Sequence, residues 1–258
     1  MAFTQYAAWA ACQAVLVFLL AGLLRSGNHR QFPVFTAYIL SNLGQAALLV
    51  FSYRQWGPQA PVTQQIFWIT TGVTLLARAL AIAELIHRIL GLHKGIWGLA
   101  WRSIAVSAVV IAAYSFLVAN RRWDLGLIAA DRALELALGC GIVVLFVFCR
   151  YYEVQVPRAE RIVGMGLILY SGVVVISHTF LERFFYAYSP FWNLTILTSF
   201  FVSATLWIRA LWVPVPSMRA QPAMLGQLYQ TLSPEINLRL RALDQRLISL
   251  WKREAPNS

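Results

Sequence analysis

Asp131, Arg132 and Glu135 stand close together in a stretch that is otherwise apolar. At helical spacing they occupy about a third of one circumference. Other apolar stretches hold Gln45, Arg78, Ser171 and His178, with Thr74 and Thr71 one and two turns before Arg78. Polar groups at membrane depth are costly and normally turn toward the interior of a helix bundle. Gathered there, these nine residues would line a water-accessible pocket for a ligand or a proton. The competing reading is structural: Arg78 pairs with Glu135 or Asp131, and hydroxyls bridge helices. An unpaired central charge costs roughly 2.5–3.5 kcal/mol, whereas an interhelical hydrogen bond contributes only about 0.6 kcal/mol. Three charged groups on one helix face exceed what helix gluing requires, and both readings stay open.

Other chemistries lack their residues. A retinal Schiff base needs a lysine inside the bundle, and the two lysines are Lys94, in a loop, and Lys252, in the tail. Membrane haem wants facing axial histidines at one depth; His178 stands apart from His29, His87 and His93. No H-E-x-x-H occurs. Cys12, Cys140 and Cys149 show neither C-x-x-C spacing nor a disulfide framework. Ser171-Gly172 precedes His178 on one face, but nothing around it resembles a nucleophile elbow or an oxyanion loop. The expectation is therefore a non-enzymatic protein without catalytic residue, cofactor or metal.

The elements that must position these side chains are set by composition. Of 258 residues, 59% are hydrophobic and 12% charged, with mean hydropathy +0.63. Soluble domains run near about 45–50% apolar and about 25% charged. The surplus belongs in lipid. Seven stretches meet the requirement of about 20 apolar residues per span: 7–24, 33–53, 62–90, 97–119, 125–150, 162–185 and 190–213. The first lacks a basic leading segment and is expected to stay as a span rather than be cleaved. The expected fold is all-α, a polytopic bundle of seven transmembrane helices over 1–213, followed by a tail over 214–258.

Direction follows from the cations. Loops after spans 1, 3 and 5 hold Arg25, Arg30, Arg88, Lys94, Arg150, Arg158 and Arg161; those after spans 2, 4 and 6 hold Arg54, Arg121, Arg122 and Arg183. The positive-inside rule then puts the N-terminus outside and the C-terminus in the cytoplasm. Trp9, Trp56, Trp68, Trp123 and Trp192 are expected at the outer interface, and Trp97, Trp101, Trp207 and Trp212 at the inner one. Phe67-Trp68 and Phe191-Trp192 open spans 3 and 7, and Arg25 and Arg150 close spans 1 and 5. These matches allow a 3+1+3 plan of parallel repeats with span 4 as connector.

Further stripes follow from helical spacing. Tyr38, Ser41, Asn42 and Gln45 share a face of span 2. Glu84 and Arg88, four apart near the cytoplasmic end of span 3, read as a snorkelling surface pair. In the tail, Ser233-Pro234-Glu235 opens a helix expected over 234–252. Ile236, Leu240, Leu243, Leu247 and Leu250 form its apolar stripe, ending at Trp251, with arginines flanking it. Such a helix docks on the anionic inner leaflet or under the bundle; a cytoplasmic protein partner and a homodimer through the same leucines are the alternatives. The formal net charge of +11 fits anionic headgroups rather than nucleic acid.

The segments Arg30-Gln-Phe-Pro-Val-Phe-Thr-Ala-Tyr38 and Gly166-Leu-Ile-Leu-Tyr-Ser-Gly172 resemble uncharacterised bacterial seven-helix inner-membrane proteins. The resemblance implies the helix count and a bacterial plasma membrane, and carries no functional residue across. The leading expectation is a seven-helix membrane sensor or accessory module with an outer-half pocket and a cytoplasmic tail. A small-solute or proton-coupled transporter is the alternative; an intramembrane enzyme built on Ser171 and His178 is the third.

Overall fold

The structure, a computed structural model, describes residues 3–91, 94–119, 123–152, 154, 156–184, 189–215, 242–243 and 245–249. Seven long helices carry the chain: α1 (Phe3–Ser26), α2 (Pro33–Gln55), α3 (Pro61–Leu90), α4 (Lys94–Ala119), α5 (Trp123–Tyr151), α6 (Arg158–Phe184) and α7 (Ser189–Leu211). A 3-10 turn at Asn28–Arg30 lies between α1 and α2. Each of the seven is long and apolar enough to cross a membrane, so the chain is a multi-pass membrane protein.

Local chemistry sets the helix borders. Pro33 and Pro61 sit at the first turns of α2 and α3, where a missing N–H costs nothing and the fixed φ favours helix. Gly27 (φ 74°) and Gly57 (φ 83°) take the left-handed conformation that turns the chain after α1 and α2.

Sequential helices pack side by side, and α1 closes the ring against α7. The third helix touches four others, α2, α4, α5 and α6. By contrast α4 packs on α3 and α5, and Val106, Val109, Phe116 and Leu117 along it are exposed. In a membrane these face lipid. The buried core lies toward the end that carries the α1–α2 and α5–α6 loops, around Leu16, Leu23, Phe35, Leu85, Ile142 and Trp207.

Trp207 corrects one expectation. It is not an interfacial belt residue but fully buried, with Phe35 and Phe200 edge-on to its rings. Its indole N–H donates to the Val163 carbonyl at 3.1 Å. Gly166 makes room: a Cβ there would come within 2.4 Å of the indole nitrogen. One turn back, the Ser203 hydroxyl donates to the Gly166 carbonyl at 2.8 Å, so α6 and α7 are joined twice.

In the tail, residues 242–243 and 245–249 are helical, and Leu247 packs against the buried core. Leu243 is half-buried, one turn before it. Ile236, Leu240, Leu250 and Trp251 lie outside the residues whose side chains are described.

Candidate functional site

The expected pocket residues divide into two groups in space. The first centres on Arg78 of α3. Its guanidinium forms an ion pair with Glu135 and lies 3.9 Å from Asp131, both on α5. Asp131 and Glu135 are one turn apart, so one guanidinium faces both carboxylates. The Tyr170 ring of α6 lies under the same guanidinium, 5.1 Å from its centroid to Cζ, a cation–π contact. Buried Tyr38 of α2 also stands within electrostatic reach of Arg78. Four helices therefore converge on one cation.

Asp131 continues the cluster away from the core. His178 Nδ1 of α6 stands 4.0 Å from its carboxylate. Next to it, Arg132 donates to the Thr179 hydroxyl at 3.3 Å. Side-chain exposure falls steadily along this series: His178 33%, Asp131 25%, Arg78 7% and Glu135 1%. Neither Glu135 oxygen has a hydrogen bond among the described residues, so Arg78 is its compensation. Burying a carboxylate in that way is tolerable only while the cation stays in place.

The second group is a helix clamp. Gln45 of α2 donates from Nε2 to the Thr71 hydroxyl at 3.0 Å and accepts at Oε1 from the Thr74 hydroxyl at 3.2 Å. Both ends of the carboxamide are thus engaged with α3. Ser41 and Asn42, on the same stripe, donate to the Tyr38 carbonyl at 2.8 and 2.9 Å. Ser171 is fully buried beside Gly139 of α5, its hydroxyl without a hydrogen bond among the described residues. It is two turns from His178, about 10 Å along the helix axis. The two do not form a nucleophile–base pair.

At the other end, Glu84 and Arg88 are not a snorkelling pair. The Glu84 carboxylate accepts the backbone N–H groups of Val34 and Phe35 at 3.2 and 2.8 Å, capping α2 from a neighbouring helix. Arg88 is buried instead of reaching for the surface. It donates to Glu160 of α6 at 2.7 and 3.1 Å and to the Gln31 carbonyl at 2.8 Å, over the Phe32 ring. Buried Asn28 complements this on α7: its Nδ2 donates to the carbonyls of Leu211 and Val213 at 2.8 and 2.9 Å, and its Oδ1 accepts the Val215 N–H at 2.9 Å. Free N–H groups at a helix start and free carbonyls at a helix end are orphans that want such partners. These contacts tie the loops of one end together.

Sequence reasoning placed neither Tyr170 at the Arg78 cluster nor Glu160 and Asn28 at the loop network. Glu160 did carry a signal: it is an acid flanked by Arg158 and Arg161 at the start of a span. Tyr170 and Asn28 carried none, since their roles depend on which helices become neighbours. Among the described residues no group of three or more His, Cys, Asp or Glu could hold a metal ion. Comparison with family models, with curated proteins and with solved structures finds no match for this chain.

Proposed function

We propose that the chain is a non-enzymatic seven-helix sensor or accessory module of a bacterial inner membrane, with its N-terminus outside and its tail in the cytoplasm. The observation that carries this reading is the one-sided fall in exposure from His178 through Asp131 to Arg78 and Glu135. In this reading solvent reaches the partly exposed imidazole and first carboxylate, while buried Tyr38 and the Trp207 core close the other side. A proton or small polar ligand arriving at His178 and Asp131 changes the charge next to Arg78. That guanidinium is shared by α3, α5 and α6, so the charge change bears on how these helices pack.

The tail would receive the change. Leu247 packs against the core, a position from which the helix expected over 234–252 would meet anionic headgroups, a cytoplasmic partner or a second copy. The positive bias survives the loss of Arg88 from the loop cations, because Arg25, Arg30, Lys94, Arg150, Arg158 and Arg161 remain on that side.

A transporter is the second reading, supported by the two carboxylates facing one guanidinium, one more than neutrality requires. The two readings part in one experiment. Protein in vesicles, spin-labelled at Leu247→Cys and on α6, is given an outer pH step from about 7.5 to about 5.5. The sensor reading expects a changed label distance that is lost in His178→Gln and Asp131→Asn, without proton uptake. Proton uptake into the vesicles gives the transporter the lead, and no response of either kind sinks the pocket.

A further inference from the structure

A groove of about 620 Å³ opens between the end of α5 and the start of α6. Phe146 and Met165 of the two helices line it, together with Val154 and Val156 of the connecting loop. The loop is held there by the Val154 N–H, which donates to the Cys149 carbonyl at 2.8 Å. Arg150 and Arg161 stand at the rim, both exposed. Arg150 is in the last turn of α5 and Arg161 in the first turn of α6, so antiparallel packing brings them to nearly one depth.

Neither guanidinium has an acidic partner among the described residues. The acid in the first turn of α6, Glu160, is buried and engaged by Arg88 of α3. Glu153, in the same loop, lies outside the described residues. A trough lined by Phe146 and Met165, with two guanidiniums that lack an acidic partner among the described residues, matches an amphiphile with an anionic head. Arginine pairs suit phosphate oxygens because their planar forks donate two parallel hydrogen bonds.

We propose that this groove binds one anionic phospholipid, its phosphate held between Arg150 and Arg161 and an acyl chain laid along Phe146 and Met165. A sensor and a transporter would both carry it, since the site shares no residue with the Arg78 cluster.

The test is native mass spectrometry of the full chain, delipidated and titrated with phosphatidylglycerol or phosphatidylcholine of equal chain length. Phosphatidylglycerol should be retained at least about fivefold better, and Arg150→Gln and Arg161→Gln should each remove about fivefold of that preference. Removing two other exposed cations of the same end, with Arg25→Gln and Arg30→Gln, should leave it unchanged. Equal retention of the two lipids, or an equal loss in the Arg25/Arg30 variant, overturns the assignment. So does full displacement by inorganic phosphate, which would mark a free-anion site. On the unsubstituted protein, phosphatidylglycerol with a diazirine in its acyl chain should label peptides spanning 146–165; labelling spread evenly over all seven helices overturns it as well.

Discussion

Arg78 of α3 and Glu135 of α5 meet as a charge pair with almost no solvent on either partner. Removing one member strands the other in an apolar interior, which costs about 3–5 kcal/mol. Glu135→Gln and Arg78→Met should each destabilise the bundle by that order, read from unfolding in mixed micelles. The double variant Arg78→Met/Glu135→Gln should lose much less than the sum. Asp131 is farther from the guanidinium and partly solvated, so Asp131→Asn should cost no more than about 1 kcal/mol. Additive losses in the Arg78/Glu135 cycle would show that the pair is not energetically coupled.

Glu84 gives a second, independent prediction. It accepts two backbone N–H groups at the start of α2, where the helix dipole also favours a negative charge. Hydrogen bonds to a charged group contribute about 1.5–3 kcal/mol. Glu84→Ala should therefore destabilise by about that amount, and Glu84→Gln by less, because an amide oxygen still accepts. Amide exchange at Val34 and Phe35 should rise in Glu84→Ala while the middle of α2 stays protected. An unchanged exchange rate there would refute the cap.

The contrast between these two sites shows what one-dimensional spacing carries. Seven spans were legible because an apolar run of about 20 residues has few other places to go, and Pro33 and Pro61 marked two starts. Arg78 with Asp131 and Glu135 was legible too, since a mid-span cation demands a partner and α5 offered carboxylates one turn apart. Glu84 and Arg88 have the same spacing, yet each turns to a different element. Their partners, the start of α2 and Glu160, become near only after the ring closes. Trp207 was misread for a related reason: a tryptophan near a span end suits an interface, but the gap over Gly166 lets it enter the core. Gln45 was placed on the right stripe, although its face proved to be a clamp on Thr71 and Thr74 rather than open pocket wall.

Gly166 and Gly172 make a matched pair on α6. A methyl at Gly166 collides with the buried indole of Trp207, while one at Gly172 meets nothing within 4 Å. Gly166→Ala should cost about 1–3 kcal/mol through overpacking and shift tryptophan emission. Gly172→Ala should be neutral or stabilising by up to about 1 kcal/mol, the helix-propensity difference. Equal effects of the two substitutions would mean that the α6–α7 approach is looser than described.

Direction across the membrane is tested by reporter fusions. Fusions in 54–61 should report the outer side, and fusions in 25–32 and after 213 the cytoplasmic side. The expectation rests on the cation bias alone, so an engineered Lys pair in the α2–α3 loop with Arg25→Gln and Arg30→Gln should weaken it. A cytoplasmic signal from 54–61 in the unaltered chain would invert the proposed sensor, placing His178 and Asp131 on the inner side.

Leu247 decides how the tail is held. It packs against the core while Gln245, Arg246 and Ser249 beside it are exposed. A helix held by one apolar face gains about 25 cal/mol for each Å² it covers, and basic residues near anionic lipid add about 1 kcal/mol each. These two contributions respond to different changes. Leu247→Asp should release a bundle-docked tail to protease in both zwitterionic and anionic vesicles, with the seven spans still folded. High salt should leave the unaltered tail protected, because apolar packing is not screened. If instead salt alone opens the tail and Leu247→Asp does not, headgroup attraction holds it. Deleting 220–258 should spare folding of the spans in either case, since the buried core residues, among those described, run no further than Leu211. A deletion that unfolded them would make the tail part of the bundle's core rather than a reader of its state.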